Sequence, residues 1–163
     1  MPGTADMFLD LGDVGGESQD LAHKGEIDVL AWSWGMSNSG TMHVGMGGGS
    51  GKVAVQDLSI TKFVDKSSTN LYKKCCDGKH YEMAKLTVRK AGGDVPVEYM
   101  KIHMEKVMIT SMSSVGAGSE ERVTENCSLN FKKVTVMYTP QEPDGSAGAT
   151  MEMWWDIEQN TGG

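Results

Sequence analysis

The run Gly45-Met46-Gly47-Gly48-Gly49-Ser50-Gly51-Lys52 is the segment most suggestive of chemistry, because closely spaced glycines let backbone wrap a phosphate. The pattern fails at named positions. A phosphate-binding loop needs a first glycine where Met46 stands and a hydroxyl where Val53 stands. A dinucleotide fingerprint beginning at Gly45 meets Ser50 where its third glycine belongs, and no parallel βαβ unit surrounds it. A hydrolase elbow centred on Ser50 meets Lys52 at its last glycine. The segment reads instead as a flexible hairpin tip, where glycine permits positive φ.

Other reactive residues are scattered. His23, His43, His80 and His103 have no second histidine or cysteine at ligand spacing, so no metal is expected. Cys75-Cys76 is not Cys-x-x-Cys, and three cysteines in all give no disulfide framework. Cys75 reads as a small buried hydrophobe on the inner side of a helix. Trp32, Trp34, Trp154 and Trp155 could stack a ligand, but core anchoring is their commoner use. No cofactor and no catalytic activity are expected.

Periodicity then supplies the elements. A short strand covers 6–11, and Gly12–Gly25 is a charged, Gly-rich loop. Glu26–Met36 reads as one strand, with Ile27, Val29, Ala31 and Ser33 on one face and Leu30, Trp32, Trp34 and Met36 on the other. Both faces are largely apolar, which predicts cover on both sides. The tryptophan face suits the core, and the small-residue face awaits a subunit contact or a lumen. After the Ser37–Gly51 loop, 52–64 returns as a strand with Leu58 and Ile60 inward, completing a hairpin with a long Gly-rich tip.

Asp65–Gly78 is the one predicted helix, capped by Asp65 or Ser67 and ended by Gly78. Strands follow over 81–91, 95–113, 122–138 and 151–159. In the third of these, Val123, Cys127, Leu129 and Phe131 share a row, while Val134, Val136 and Tyr138 take the opposite parity. That predicts a bulge or a change of partner. The fold expected is mainly β, a small antiparallel barrel of two sheets with one flanking α-helix, as a single domain over 1–163.

Bulk properties narrow the partners. The chain has 163 residues, 21 glycines, 13 methionines and a formal net charge of −7. Nucleic acid and anionic membranes bind basic patches, so neither is expected as a partner. No apolar run approaches the roughly 18 residues of a membrane span, so no membrane insertion is expected. The first residues lack the charged and apolar regions of a secretory signal, which predicts synthesis in the cytoplasm and export, if any, by a signal-independent machine. Spare apolar strand surface without chemistry suggests a subunit that meets copies of itself. Two other readings stand beside it. One is a barrel holding a small apolar ligand at its tryptophans, and the other an enzyme whose site forms between subunits from scattered Ser, His and Glu.

Several segments together resemble the haemolysin-coregulated protein (Hcp) family of type VI secretion. These are Asp6-Met7-Phe8, Gly15-Gly16-Glu17-Ser18, Glu26 to Met36 with its Leu30-Ala31-Trp32-Ser33-Trp34-Gly35 centre, Gln56-Asp57-Leu58, Asp65-Lys66-Ser67, Leu86 to Gly93, Thr124-Glu125-Asn126, Tyr138-Thr139-Pro140-Gln141 and Trp155-Asp156. The resemblance implies a homohexameric ring with a wide channel. It also implies stacking of rings into a tube within a contractile sheath, contact with spike-tip proteins, and secretion of the tube out of the cell or into a target cell. Small effector proteins would ride in the lumen. It further implies that Ser33, Ala31 and Val29 line the lumen, and that Ser39, Met42, His43, Met46, Gly47, Gly48 and Gly49 contact the next ring. Cys76, Cys127, Lys73-Lys74 and Met46 depart from the family pattern.

Overall fold

Two long antiparallel strands, β8 (Val97–Val115) and β9 (Thr124–Tyr138), form the spine of the molecule and pair along almost their whole length. A computed structural model describes residues 5–40, 52–90 and 96–163. Alternation puts Ile102 and Met104 of β8 in the core, and then Val107 and Ile109 on the opposite parity. The change falls around Lys106, a non-glycine residue at φ 55. β9 changes likewise from Cys127, Leu129 and Phe131 to Val134. Its partner changes too, as the sequence anticipated. Thr124 to Leu129 pair with β6 (Leu58–Phe63), and Lys133 to Tyr138 pair with β10 (Met151–Asp156). Val123 lies outside the strand and is exposed, contrary to the row expected for it.

From β8 the sheet continues through β7 (Tyr81–Lys90) and β1 (Ala5–Asp10) to β2 (Ile27–Asp28). The other end passes from β10 to β11 (Thr161–Gly162), while β6 carries β3 (Ala31–Ser33). β4 (Met36–Asn38) and β5 (Val53–Val55) pair separately as a second, two-stranded sheet.

The single strand expected over 26–36 is therefore three short ones. Val29 N donates to Met7 O at 3.0 Å, and the very next amide, Leu30 N, donates to Thr61 O at 2.8 Å. The chain thus leaves β1 for β6 within one residue, and its sidedness slips there. Ile27 and Val29 face the core, Leu30 and Ala31 are both exposed, and Trp32 and Trp34 pack against the core. Val29, at 6% exposure, does not share a face with Ala31 and Ser33. Val29 N thus extends the β1–β2 pair and Leu30 N the β3–β6 pair, and among the described residues no ladder joins β2 to β6, so the sheet is not closed and "barrel" describes the shape loosely. The strand expected over 52–64 breaks similarly at Gln56-Asp57, where Gln56 N donates to Gly35 O at 2.9 Å and Gln56 O accepts from Trp34 Nε1 at 2.9 Å.

Helix α1 (Ser68–Asp77) starts three residues later than the earliest position expected. Asp65 Oδ1 accepts from Ser67 N at 2.9 Å, and Asp65 N donates to Ser68 Oγ at 3.0 Å, so 65–67 form the entry turn. Leu71 is fully buried, and Cys75 packs against the same core. Gly78 adopts φ 71 and its N–H closes on Lys74 O at 3.0 Å, a left-handed stop open to glycine.

Candidate functional site

The strands β3, β6, β9 and β8 lie side by side, and their registers align side chains into rungs. Inward rungs are apolar: Leu58, Leu129 and Ile109 form one, and Trp32, Ile60, Cys127 and Met112 another. Outward, one rung runs Ser33, Ser59, Ser128 and Ser111, and the next Ala31, Thr61, Asn126 and Ser113. No ionisable side chain stands on either, in a chain that is 23% charged.

The hydroxyls and amide bond to one another. Ser59 Oγ and Ser128 Oγ are 3.3 Å apart, and Thr61 Oγ1 donates to Asn126 Oδ1 at 2.7 Å. Beyond them, Thr110 Oγ1 and Asn130 Nδ2 donate to the two oxygens of Asp57 at 2.6 and 2.8 Å. Cross-strand hydroxyl pairs of this kind stabilise a sheet modestly. With no base on the rungs, no hydroxyl is activated as a nucleophile. The surface can make weak, uncharged contacts.

Behind these rungs lies a buried ion pair. Lys62 Nζ sits 2.6 Å from Glu125 Oε2 and 3.1 Å from Asp65 Oδ1, with both Lys62 and Glu125 at 0% exposure. Glu125 also accepts from Ser68 Oγ at 2.6 Å and Tyr72 Oη at 2.7 Å. Burial pushes this carboxyl up, but its hydrogen bonds from Lys62, Ser68 and Tyr72 outweigh that and hold it below its ordinary range. Although Lys62 Nζ is 3.2 Å from Ser68 Oγ, both groups are sealed from solvent, so the pair fastens α1 to the sheet and meets no substrate.

At the far edge the loop following β1 folds over the outer face of β1 and β7. Arg89 makes two bonds to Asp20, of 2.5 and 3.0 Å, and one to Asp6 of 3.0 Å. Arg89 holds Asp20 down at about 2. The Phe8 ring is stacked by His23 at 4.4 Å and faced by the Arg89 guanidinium at 5.1 Å. His23 Nδ1 lies 2.8 Å from Glu26 and Nε2 2.6 Å from Glu98. Gly16 passes so close to the following strand that a Cβ would stand 2.6 Å from Glu26 O, which explains the glycine there.

A third feature is an apolar groove of about 250 Å³ between the β4–β5 pair and β9–β10, walled by Trp34, Met36, Val55, Val134, Met153 and Trp155. Among the cysteines, Cys76 is exposed and Cys127 is buried, its thiol pushed up to about 12 by desolvation.

Ser33 and Ala31 therefore stand on the uncharged rungs, whereas Val29 is in the core. Ser39 is exposed just past β4. Met42, His43, Met46, Gly47, Gly48 and Gly49 lie outside the described residues. Sequence reasoning missed Ser59, Thr61, Ser111, Ser113, Asn126 and Ser128. The alternation Ser59-Ile60-Thr61 and Asn126-Cys127-Ser128-Leu129 was the available signal. Thr87 and Arg89, on the side of β7 opposite Ala84, Leu86 and Val88, are buried as well, beneath the loop. Among the described residues no three His, Cys, Asp or Glu side chains could hold a metal, and no helix is long and apolar enough to cross a membrane.

Residues 8–138 match the sequence family described as type VI secretion system effector, Hcp. The chain is 57% identical over 156 residues to Protein hcp1 of Pseudomonas aeruginosa, covering 95% of this chain and 96% of that one. Its fold matches a solved type six secretion system protein with a TM-score of 0.92 at 29% identity, over 98% of this chain and 100% of the other. It also matches Hcp1 from Salmonella typhimurium, with a TM-score of 0.82 at 34% identity, over 98% and 99%. Sequence and fold agree over nearly the whole length, and the chain belongs to the Hcp family of type VI secretion proteins.

Proposed function

We propose that this protein is a structural tube subunit and not an enzyme: six copies close into a ring, rings stack, and the tube is expelled from the cell by the type VI apparatus. Small effector proteins ride in the lumen, against the rungs that carry Ser33 and Ala31. One observation carries this reading, the uncharged hydroxyl and amide face built by β3, β6, β9 and β8. Ser59 bonds to Ser128 and Thr61 to Asn126, and no charge stands on these rungs, so a protein sliding past them meets neither a strong field nor a sticky apolar wall. Such a face holds cargo weakly enough to let it go.

The segment from Ser39 to Gly49 meets the neighbouring ring in this scheme. The sheath surrounds the tube and spike-tip proteins meet its end. Native mass spectrometry of the purified protein tests the reading, with hexamers and multiples of hexamers expected. A single chain at every concentration overturns it. Cargo contact is tested separately by co-purifying effectors with Ser33→Gln, where a reduced yield is expected and an unchanged yield refutes the lumen assignment.

A further inference from the structure

The β4–β5 pair stands apart from the rest of the fold. Among the described residues no ladder joins it to the nine-stranded sheet. At its base Gln56 N donates to Gly35 O and Trp34 Nε1 to Gln56 O, each at 2.9 Å, so the pair is tethered at that end. Beyond the tether it presents Met36, Val53 and Val55 to the groove, opposite Val134, Met153 and Trp155 of β9 and β10. Two strands of three residues are marginal on their own, so closure of these apolar walls favours holding the pair against the sheet.

Two of the groove's side chains are open to oxidation. Met36 is 48% exposed and Met153 38%, one on each wall, so a small oxidant in solution reaches both thioethers. Met104, at 0%, is out of reach. Met151 and Met108 are exposed as well, but neither lines the groove. A peroxide supplies the chemistry. The methionine sulfur attacks one peroxide oxygen, the O–O bond breaks, and a sulfoxide and one water form. Sulfur loses two electrons and the peroxide gains them.

We infer that Met36 and Met153 are an oxidant-sensitive clasp: their conversion to sulfoxides wets the groove and releases the β4–β5 pair from β9 and β10. A sulfoxide oxygen closed in against Val134 and Trp155 loses its water and gains no donor from their side-chain carbons, so the open form is favoured. The change is reversible, because methionine sulfoxide reductases restore the thioether. The segment joining β4 to β5 is the one that meets the neighbouring ring in the reading proposed above. Resting on that reading, release of the pair also weakens ring stacking.

The experiment treats the full chain with graded hydrogen peroxide, then with a thiol reductant, which returns sulfenic acids and disulfides to thiols but leaves sulfoxides in place. Peptide mapping by mass spectrometry is expected to find Met36, Met108, Met151 and Met153 oxidised and Met104 intact. Amide exchange in Met36–Asn38 and Val53–Val55 is expected to rise about tenfold and to fall back after reductase treatment. Met36→Leu combined with Met153→Leu keeps the apolar volume without the sulfur, so exchange in that variant is expected to ignore peroxide. By native mass spectrometry, oxidised wild type is expected to keep hexamers and lose multiples of hexamers, with the double variant unchanged.

Exchange that stays at its starting rate once Met36 and Met153 are oxidised overturns the inference. So does an equal response in the double leucine variant, which assigns the effect to another group, and so does survival of both thioethers at peroxide levels that fully oxidise Met108. Stacks that persist while the strands open overturn the coupling to stacking and leave the ring reading standing. Untreated wild type that never forms multiples of hexamers defeats the stacking reading itself.

Discussion

The sheet buries cations at two places and seals them by different means. Lys62 is enclosed by regular structure, with β9 supplying Glu125 and the helix start supplying Ser68, and these three side chains are sealed from water. Arg89 is covered by a loop, and its partners remain partly open, Asp20 at 24% and Asp6 at 47%. The first arrangement fixes the helix behind the hydroxyl rungs. The second fixes an irregular segment over an apolar ring. A dry pair is costly to break singly, because the survivor stays buried, whereas a loop clasp can swing into solvent and relax.

The sharpest way to break the comparison is Lys62→Met, which strands Glu125. A loss of about 3–5 kcal/mol is expected in chemical denaturation. Lys62→Met with Glu125→Leu is expected to recover most of it, and no recovery would show that the pair also supplies geometry the apolar residues cannot. Next, Gly16→Ala forces a methyl against Glu26 O and is expected to cost about 1–3 kcal/mol. A neutral result by calorimetry would mean that the loop yields more readily than its bonds imply.

Acid sharpens the contrast further. Because Asp20 is held at about 2, its contribution is fully present above its ordinary value near 3.8 and fades as pH falls toward 2. Asp20→Asn is therefore expected to lie below wild type in thermal stability at neutral pH, with the gap closing between about pH 4 and pH 2. A gap independent of pH would remove the Asp20–Arg89 contact as its cause. The smallest effect belongs to a site touching neither cluster. Ser33→Gln is expected to change stability by less than about 0.5 kcal/mol, and a larger change in denaturation midpoint would mean that the rung is structural.

Much of this was legible in the residues. Leu58, Ile60, Leu86 and Leu129 fall inward as their alternation requires, the helix ends at Gly78, and the parity change in β9 marks its change of partner. The break between Val29 and Leu30 was not legible, because it arises from competition between Met7 and Thr61 for consecutive amides, two groups far apart in sequence. Buried charge escaped for a related reason. Arg89 looks the same on a strand whether or not a loop later folds across it. Ser33 was singled out by its small neighbours. Its real companions, Ser59 and Ser128, became visible only once strand register put them in line.

β9 has one further consequence. Its first half carries Asn126 and Ser128, its second half carries Val134 in the groove wall, and β8 is bonded to it throughout. In amide exchange these residues will open as one cooperative unit and slowest of all, while the two-residue strands β2 and β11 fray first. Hydroxyl rungs and groove wall are thus cast in one piece, so strain applied to either is felt by both.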